Sequence, residues 1–202
     1  MTLEITKGSD VPYELKKILV VGVEKSGKTS FIATMPRPIL VFCGESNSES
    51  RLAGQKDIDF VRCYDTAEEL SKNLRSAGFR RFEKNFKELL TMNPKDVPYK
   101  TIAIDPLSFL SDYLVAQIDR ENPGMKGGAN TYGFWGLIKD RHSYLLAQIV
   151  GMVQYVVVTS HVRLLEDETT GAKSFLPDLN GSIRDSIGGF FNAVFFTKTV
   201  GG

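Results

Sequence analysis

The sequence lacks the features that mark several large classes of protein. Its 202 residues include only two cysteines, Cys43 and Cys63, which form neither a C-x-x-C motif nor a metal-binding spacing. The formal net charge is +1, so no overall field favours a nucleic acid or a membrane as partner. No apolar run approaches the length of a membrane span, and the first residues carry no secretory signal. We therefore expect a cytoplasmic protein with free, buried thiols and no membrane partner.

The composition that remains is typical of a single globular domain. Hydrophobic residues make up 42% of the chain and charged residues 24%, which excludes a disordered or fibrous protein. A chain of 202 residues can bury the core of one α/β domain. Gly8 and Pro12 disfavour a helix near the start. We therefore expect an extended lead-in over residues 1–17 and one domain over residues 18–202.

One motif organises the rest of the chain. Residues 22–29 read G-V-E-K-S-G-K-T, which matches the G-x-x-x-x-G-K-T pattern of a phosphate-binding P-loop. The apolar run 18–21 suits a buried parallel strand, and residues 30–35 can form a helix that Pro36 would stop. Strand, loop and helix are the context that the motif requires. The predicted nucleotide-binding residues are Gly22, Val23, Glu24, Lys25, Ser26, Gly27, Lys28, Thr29 and Ser30.

The motif assigns different chemistry to different groups. Main-chain N–H groups of the glycine-containing loop bind phosphate oxygens. Lys28 is expected to reach the β- and γ-phosphates, and the Thr29 hydroxyl is expected to ligate Mg²⁺.

Two acidic residues follow other apolar runs. Glu45 comes just after residues 39–43, and Asp105 ends the run 101–105. Because the carboxyl ends of parallel strands line the ligand crevice of an open α/β sheet, both acids are placed near the nucleotide. Asp105 is predicted to reach the Mg²⁺ shell, as the Walker B aspartate of a P-loop enzyme does. For Glu45, position alone leaves open a role at the nucleotide or that of a solvated loop acid.

The remaining pattern predicts a three-layer α/β fold with a mostly parallel central sheet. Thr66 and Glu69 form a capping box that opens a helix to about Ser76. Bases and acids are interleaved over residues 68–88, which favours a solvated helical face over a nucleic-acid patch. The other predicted elements are a helix continuing to Leu90, helices 107–120 and 133–150, strands 58–63, 153–159 and 190–197, and a hairpin pairing 163–165 with 173–176.

With these residues placed, the sequence resembles the RecA-type ATPase core. The resemblance extends from residue 18 to about 197, and is strongest to the short phage-borne members that act in recombination and single-strand annealing. The RecA P-loop reads G-P-E-S-S-G-K-T, so Glu24 and Ser26 are shared. The I-D-P-L-S run at 104–108 is similar to the family's Walker B segment. Glu45 stands where the family has a D-x-E glutamate, although Cys43 replaces the aspartate.

The resemblance implies a Mg²⁺-dependent ATPase. Lys28 would hold the triphosphate, Thr29 and Asp105 would hold Mg²⁺, and Glu45 would orient the attacking water. His161 stands at the family's polar sensor position, where it would sense the γ-phosphate. The alternative interpretation, in which His161 serves only for hydrogen bonding, remains open.

The resemblance also implies partners. Family members bind single-stranded DNA through two mobile loops and assemble into oligomers or filaments, in which a neighbour supplies a cation to the site. The matching segments are 121–132 and 163–182, which carry few bases, so any single-strand binding is expected to be weak. No counterpart of the RecA lysines that reach the neighbour's site is evident.

Two alternatives are kept beside the ATPase. One is a P-loop kinase for a small molecule, with Arg163 on a mobile lid. The other is a non-enzymatic, nucleotide-dependent interaction module in which Glu45 is inert. A GTPase is disfavoured because the chain has no N-K-x-D guanine motif.

Overall fold

A central sheet organises the protein. The computed structural model describes residues 16–72, 76–152, 154–166 and 169–198. Its strands are β1 (Lys17–Gly22), β2 (Ile39–Cys43), β3 (Ile58–Arg62), β4 (Thr101–Asp105), β5 (Tyr155–Glu166), β6 (Lys173–Pro177) and β7 (Ala193–Thr197). Its helices are α1 (Lys28–Ile32), α2 (Ser46–Leu52), α3 (Ala67–Ser71), α4 (Ala77–Thr91), α5 (Leu107–Glu121), α6 (Thr131–Val150), α7 (Ile183–Ser186) and a 3₁₀ helix (Ile187–Phe190). Most of the expected lead-in, residues 1–15, lies outside the described residues.

The sheet is mostly parallel, as predicted. Its strand order is β3-β2-β4-β5-β1-β7, and β6 pairs with β5 outside this path. Every pairing along the path is parallel, whereas β5 and β6 are antiparallel. Strand β5 therefore separates the P-loop strand β1 from β4, and β2 lies on the other side of β4. The α/β fold class expected from the sequence is confirmed.

Alternate residues of each parallel strand face two separate cores. On β1, Leu19 and Val21 belong to a core shared with α4, α5 and α6, while Ile18 and Val20 belong to one shared with α1 and α2. Parallel strands that are covered on both faces read as continuous apolar runs, which is the pattern of β1, β2, β4 and β5. Helices on both faces of the sheet give three layers.

Helix α4 is fixed to the sheet by aromatic contacts. Phe82 and Phe86 meet the Phe42 ring edge-on, with ring centroids 5.3 and 5.9 Å apart. Such pairs contribute roughly 0.5–1.5 kcal/mol beyond the burial of their area. The helical spacing of these phenylalanines in the sequence correctly indicates a buried face.

Several predicted boundaries differ from the structure. Helix α1 ends at Ile32 rather than Met35, because the next three residues make tighter i→i+3 bonds. The capping box of Thr66 is present, but α3 ends at Ser71, and residues 73–75 of the expected longer helix lie outside the described chain. Helix α2 and helix α7 occupy stretches to which the sequence pattern assigns no helix or strand.

Strand β5 departs most from expectation. The pattern predicts a strand that stops before Ser160, whereas β5 continues to Glu166 and pairs there with β6. The expected hairpin is therefore confirmed, but it is an extension of a central strand and not a separate unit. Within the segment 163–182, which the resemblance implies is a mobile loop, residues 163–166 and 173–177 are paired strands.

The two cysteines are free and buried. Burial raises the pKa of the Cys63 thiol to about 12, and that of Cys43 is raised further. Neither thiol is thus activated as a nucleophile. Among the described helices, none has both the length and the apolar character needed to cross a bilayer.

His142 makes the stability of this fold depend on pH. It is 1% exposed on α6, its Nδ1 bonds the Ile138 carbonyl, and its Nε2 has no partner in the described chain. Burial lowers its pKa to about 4. The unfolded chain takes up a proton below about pH 6.5, which the folded chain resists, so stability is full above that pH and is lost as the pH falls toward 4.

We expect this histidine to remove about 3 kcal/mol of unfolding free energy between pH 6.5 and pH 4. Urea unfolding at several pH values measures it. His142→Leu should flatten the pH dependence in this range. An identical pH slope in the wild type and His142→Leu would contradict the assignment.

Candidate nucleotide-binding site

The P-loop connects β1 to a short helix. Gly27 precedes α1 with φ of 90°, a left-handed conformation that glycine adopts without strain. Helix α1 has only five residues, so its dipole contributes little. An anion bound here would therefore depend on the loop N–H groups and on Lys28 more than on the helix terminus.

Gly22 is required by close packing at the start of the loop. A Cβ on Gly22 would lie 2.1 Å from Thr197 Oγ1 and 2.7 Å from the Thr197 carbonyl oxygen. The hydroxyls of Thr197 and Ser26 are themselves 2.7 Å apart and hydrogen-bonded. Strand β7 thus supports the P-loop from the side.

Lys28 is a buried cation without an anionic partner in the described chain. It is 6% exposed, and its ammonium donates to the main-chain carbonyls of Gly22 at 2.9 Å and Val23 at 2.7 Å. Desolvation lowers its pKa, an effect that nearby Asp105 partly offsets. A charge held in this way favours an anionic ligand.

Asp105 is the centre of the hydrogen-bond network. Its carboxylate accepts from the Thr29 hydroxyl at 2.8 Å and from the Thr159 hydroxyl at 2.5 Å. Its main-chain carbonyl accepts from Gly44 N–H at 2.8 Å and from the Ser48 hydroxyl at 3.0 Å. Asp105 therefore joins β4 to α1, β5 and α2.

Glu45 lies beside this network. Strand register pairs Cys43 with Asp105, and Glu45 follows two residues later as the N-cap of α2. Its side chain is 19% exposed, and its Oε1 is 3.9 Å from Arg51 Nη1. Desolvation and the neighbouring Asp105 raise the pKa of this carboxyl.

His161 lies where β5 changes partners. It is opposite Gly22 in the last parallel pair with β1, and Val162 begins the antiparallel pairing with β6. Its main-chain N–H donates to the Ser108 hydroxyl at 2.9 Å, and its ring meets Phe109 edge-on. The pattern places His161 at the end of its strand, whereas the structure places it at the last position in the parallel sheet.

One small cavity brings together half of the predicted site residues. Its volume is about 60 Å³, about that of two water molecules. It is lined by Glu24, Lys28, Thr29, Glu45, Asn47, Arg51, Asp105, Pro106 and His161. The other predicted P-loop residues lie outside this lining, and Val23 is exposed. A larger groove of about 760 Å³ lies elsewhere, between α4 and α6.

Comparison with known families agrees with the α/β fold. Residues 14–200 match the model of the AAA domain family. The chain belongs to this family. No curated protein matches the chain significantly. A P-loop ATPase domain of the AAA type, with nucleotide binding as its general property, is thereby supported; the RecA-like subtype is not established by this match.

The AAA domain contains site residues that the sequence pattern did not identify. Asn47 and Arg51, four residues apart on α2, line the cavity. Thr159 and Thr197 support Asp105 and the P-loop from β5 and β7. A local pattern does predict the start of helix α2, because residues 46–49 read S-N-S-E, the S-x-x-E pattern that opens helices. The observed cap is one residue earlier.

The contact between β7 and the P-loop of this AAA domain can be tested by adding one methyl group. Gly22→Ala should lower stability by roughly 1–3 kcal/mol, because the new Cβ meets main-chain as well as side-chain atoms of Thr197. Gly136→Ala is the matched control, since nothing lies within 4 Å of its Cβ in α6. That control should gain about 1 kcal/mol from helix propensity. Thermal unfolding measures both, and equal effects would contradict the packing argument.

Proposed function

We propose that the protein is a Mg²⁺-dependent ATPase of the RecA-like type, phage-encoded, and acting in DNA recombination or single-strand annealing. The observation that carries the ATPase is the single cavity shared by Lys28, Thr29, Glu45, Asp105 and His161. These residues come from the P-loop, from the carboxyl ends of β2 and β4, and from the last parallel position of β5. Such convergence supports one reaction centre.

The residues present fit Mg²⁺ and a triphosphate. Thr29 and Asp105 offer buried hydroxyl and carboxylate oxygens, which are the donors that Mg²⁺ prefers. No group of three or more His, Cys, Asp or Glu that suits a metal occurs in the described residues, so phosphates and water would supply the remaining ligands. When bound, Mg²⁺ would neutralise charge on the phosphate oxygens.

The chain's own groups then have distinct tasks. The cavity has room for only the reacting end of a nucleotide. Lys28 would bind its terminal phosphates in place of the Gly22 and Val23 carbonyls. Glu45 accepts a hydrogen bond from the attacking water. The water oxygen forms a bond to the γ-phosphorus, the bond from that phosphorus to the β–γ bridging oxygen breaks, and the released proton passes through Glu45 to solvent. The products are ADP and phosphate.

Two substitutions test this division of tasks. Lys28→Ala should abolish triphosphate binding without unfolding the domain. Glu45→Gln should bind ATP normally and lower the single-turnover rate by at least about 10²-fold, because the amide cannot accept the proton. Rapid-quench measurement of phosphate release is the assay. Wild-type cleavage in Glu45→Gln would transfer the role to Glu24, the other acid lining the cavity.

The raised pKa of Glu45 adds a pH signature. Because the ionised carboxylate is the active form, the wild-type rate should fall with acidity at a higher pH than an ordinary carboxyl predicts. Nucleotide binding without phosphate release at any pH would favour the interaction module. Phosphate transfer to a small acceptor would favour the kinase.

Single-stranded DNA and further copies of the chain are the proposed partners. Tyr132, at the end of the segment 121–132, is 95% exposed, and Phe175, on β6, is 57% exposed. Exposed aromatic rings suit sequence-tolerant stacking of bases. Within the described chain β7 pairs only with β1, which leaves a sheet edge that suits addition of a strand from another copy.

Hydrogen exchange with ATP, single-stranded DNA and both together tests the DNA partner. We expect the segments 121–132 and 163–182 to gain protection from exchange only when ATP and DNA are bound together. Tyr132→Ala and Phe175→Ala should each weaken DNA binding by roughly 1–3 kcal/mol. Tyr144→Ala, 65% exposed on α6, is the matched control and should have no effect. Full protection by ATP alone, with no DNA binding at low salt, would leave only the ATPase.

A further inference from the structure

Arg51 is the one arginine whose side chain lines the nucleotide cavity in the described chain. It lies in the last turn of α2. Its Nη1 is 3.9 Å from Glu45 Oε1 and donates to the Thr29 hydroxyl at 3.5 Å. It therefore stands between the acid proposed to orient water and the hydroxyl proposed to hold Mg²⁺.

The contacts of Arg51 are weak compared with those of other arginines. Arg62 donates from its Nε to both Glu49 oxygens at 2.9 and 3.0 Å. Arg51 makes one contact to Glu45 at the limit of ion pairing, and its side chain is 40% exposed. An exposed pair of this kind adds little to stability. The guanidinium is therefore held where a stronger anion can displace it from Glu45.

A terminal phosphate is that stronger anion. It carries more charge than a carboxylate and matches the fork of a guanidinium with two parallel hydrogen bonds. A divalent cation at Thr29 and Asp105 would also repel Arg51 from the Thr29 hydroxyl. Both effects move the guanidinium in the same direction, away from its present partners and toward the phosphate.

We propose that Arg51 is an arginine supplied by the chain itself to the terminal phosphate of a bound triphosphate, and that Glu45 holds it in the nucleotide-free state. This inference rests on the proposed function. On transfer, Glu45 is released to accept its hydrogen bond from water. Arg51 gives up no proton; it stabilises charge on the γ-phosphoryl oxygens while the phosphorus–oxygen bonds form and break as written above. The cation then need not come from a neighbouring copy.

The experiment compares wild type, Arg51→Ala, Arg51→Lys and Arg141→Ala. Arg141 is the matched control, because its side chain is 42% exposed against 40% for Arg51 and it also pairs with a glutamate, Glu83. Dissociation constants for ADP and for a non-hydrolysable ATP analogue are measured by calorimetry. The single-turnover rate at saturating ATP is measured over a hundredfold range of protein concentration.

For Arg51→Ala we expect the affinity for the ATP analogue to fall at least about tenfold while that for ADP is unchanged. The rate should fall by about 10³-fold or more, as for other arginines that stabilise phosphoryl transfer. Arg51→Lys should recover part of the binding loss and less of the rate, because a lysine lacks the planar fork. Arg141→Ala should match wild type, and the wild-type rate per molecule should not depend on protein concentration.

Other outcomes overturn the inference in distinguishable ways. Wild-type preference for the triphosphate and wild-type rate in Arg51→Ala would reject it and leave the ATPase standing. A rate that rises with protein concentration and is insensitive to Arg51→Ala would assign the cation to a second copy. If the wild type binds nucleotides without cleaving them, the proposed ATPase activity is rejected. The ratio of the dissociation constants for ADP and the ATP analogue then still shows whether Arg51 contacts the terminal phosphate. If the wild type binds no nucleotide, both proposals fail.

Discussion

The carboxylate of Asp105 is the interaction on which the arrangement of the site depends. It accepts hydrogen bonds from Thr29 on the helix after the P-loop and from Thr159 on the neighbouring strand. The Asp105 carbonyl accepts from Ser48, which fixes the helix that carries Asn47 and Arg51. Because Asp105 is 1% exposed, these hydrogen bonds also satisfy polar oxygens that burial would otherwise leave without partners. The Asp105 atoms that hold these elements together are therefore also the atoms assigned to the candidate chemistry.

The sequence predicts the parts of this arrangement that local pattern encodes. The P-loop is contiguous, and the apolar runs before Glu45 and Asp105 are those of strands buried on both faces, so the α/β class and the strand ends follow directly. Helix α2 is missed, because its serines and Asn47 favour turns and caps as much as helix interiors. Its polar composition is explained only by its position beside the cavity that Asn47 and Arg51 line.

Other parts depend on contacts that are distant in the chain. The Ser26 hydroxyl meets that of Thr197, 171 positions later, and no local pattern reports such a contact. Leu70 is apolar but 52% exposed, because α3 is too short to bury a continuous face. The extension of β5 likewise depends on its pairing with β6. The alternation of apolar and polar residues alone does not predict that pairing.

Strand β5 has a mechanical consequence because it belongs to two pairings at once. Residues 155–158 pair with both β1 and β4, residues 159–161 pair with β1, and the strand pairing of residues 162–166 is with β6. The His161 carbonyl also accepts from Asp178 N–H, and Asp178 pairs with Arg163 at 2.6 Å. A rotation of β5 at His161 would therefore tilt the paired residues of the hairpin about that point. Displacement would grow with distance from His161, so the ends of the two strands at Glu166 and Lys173 would move furthest.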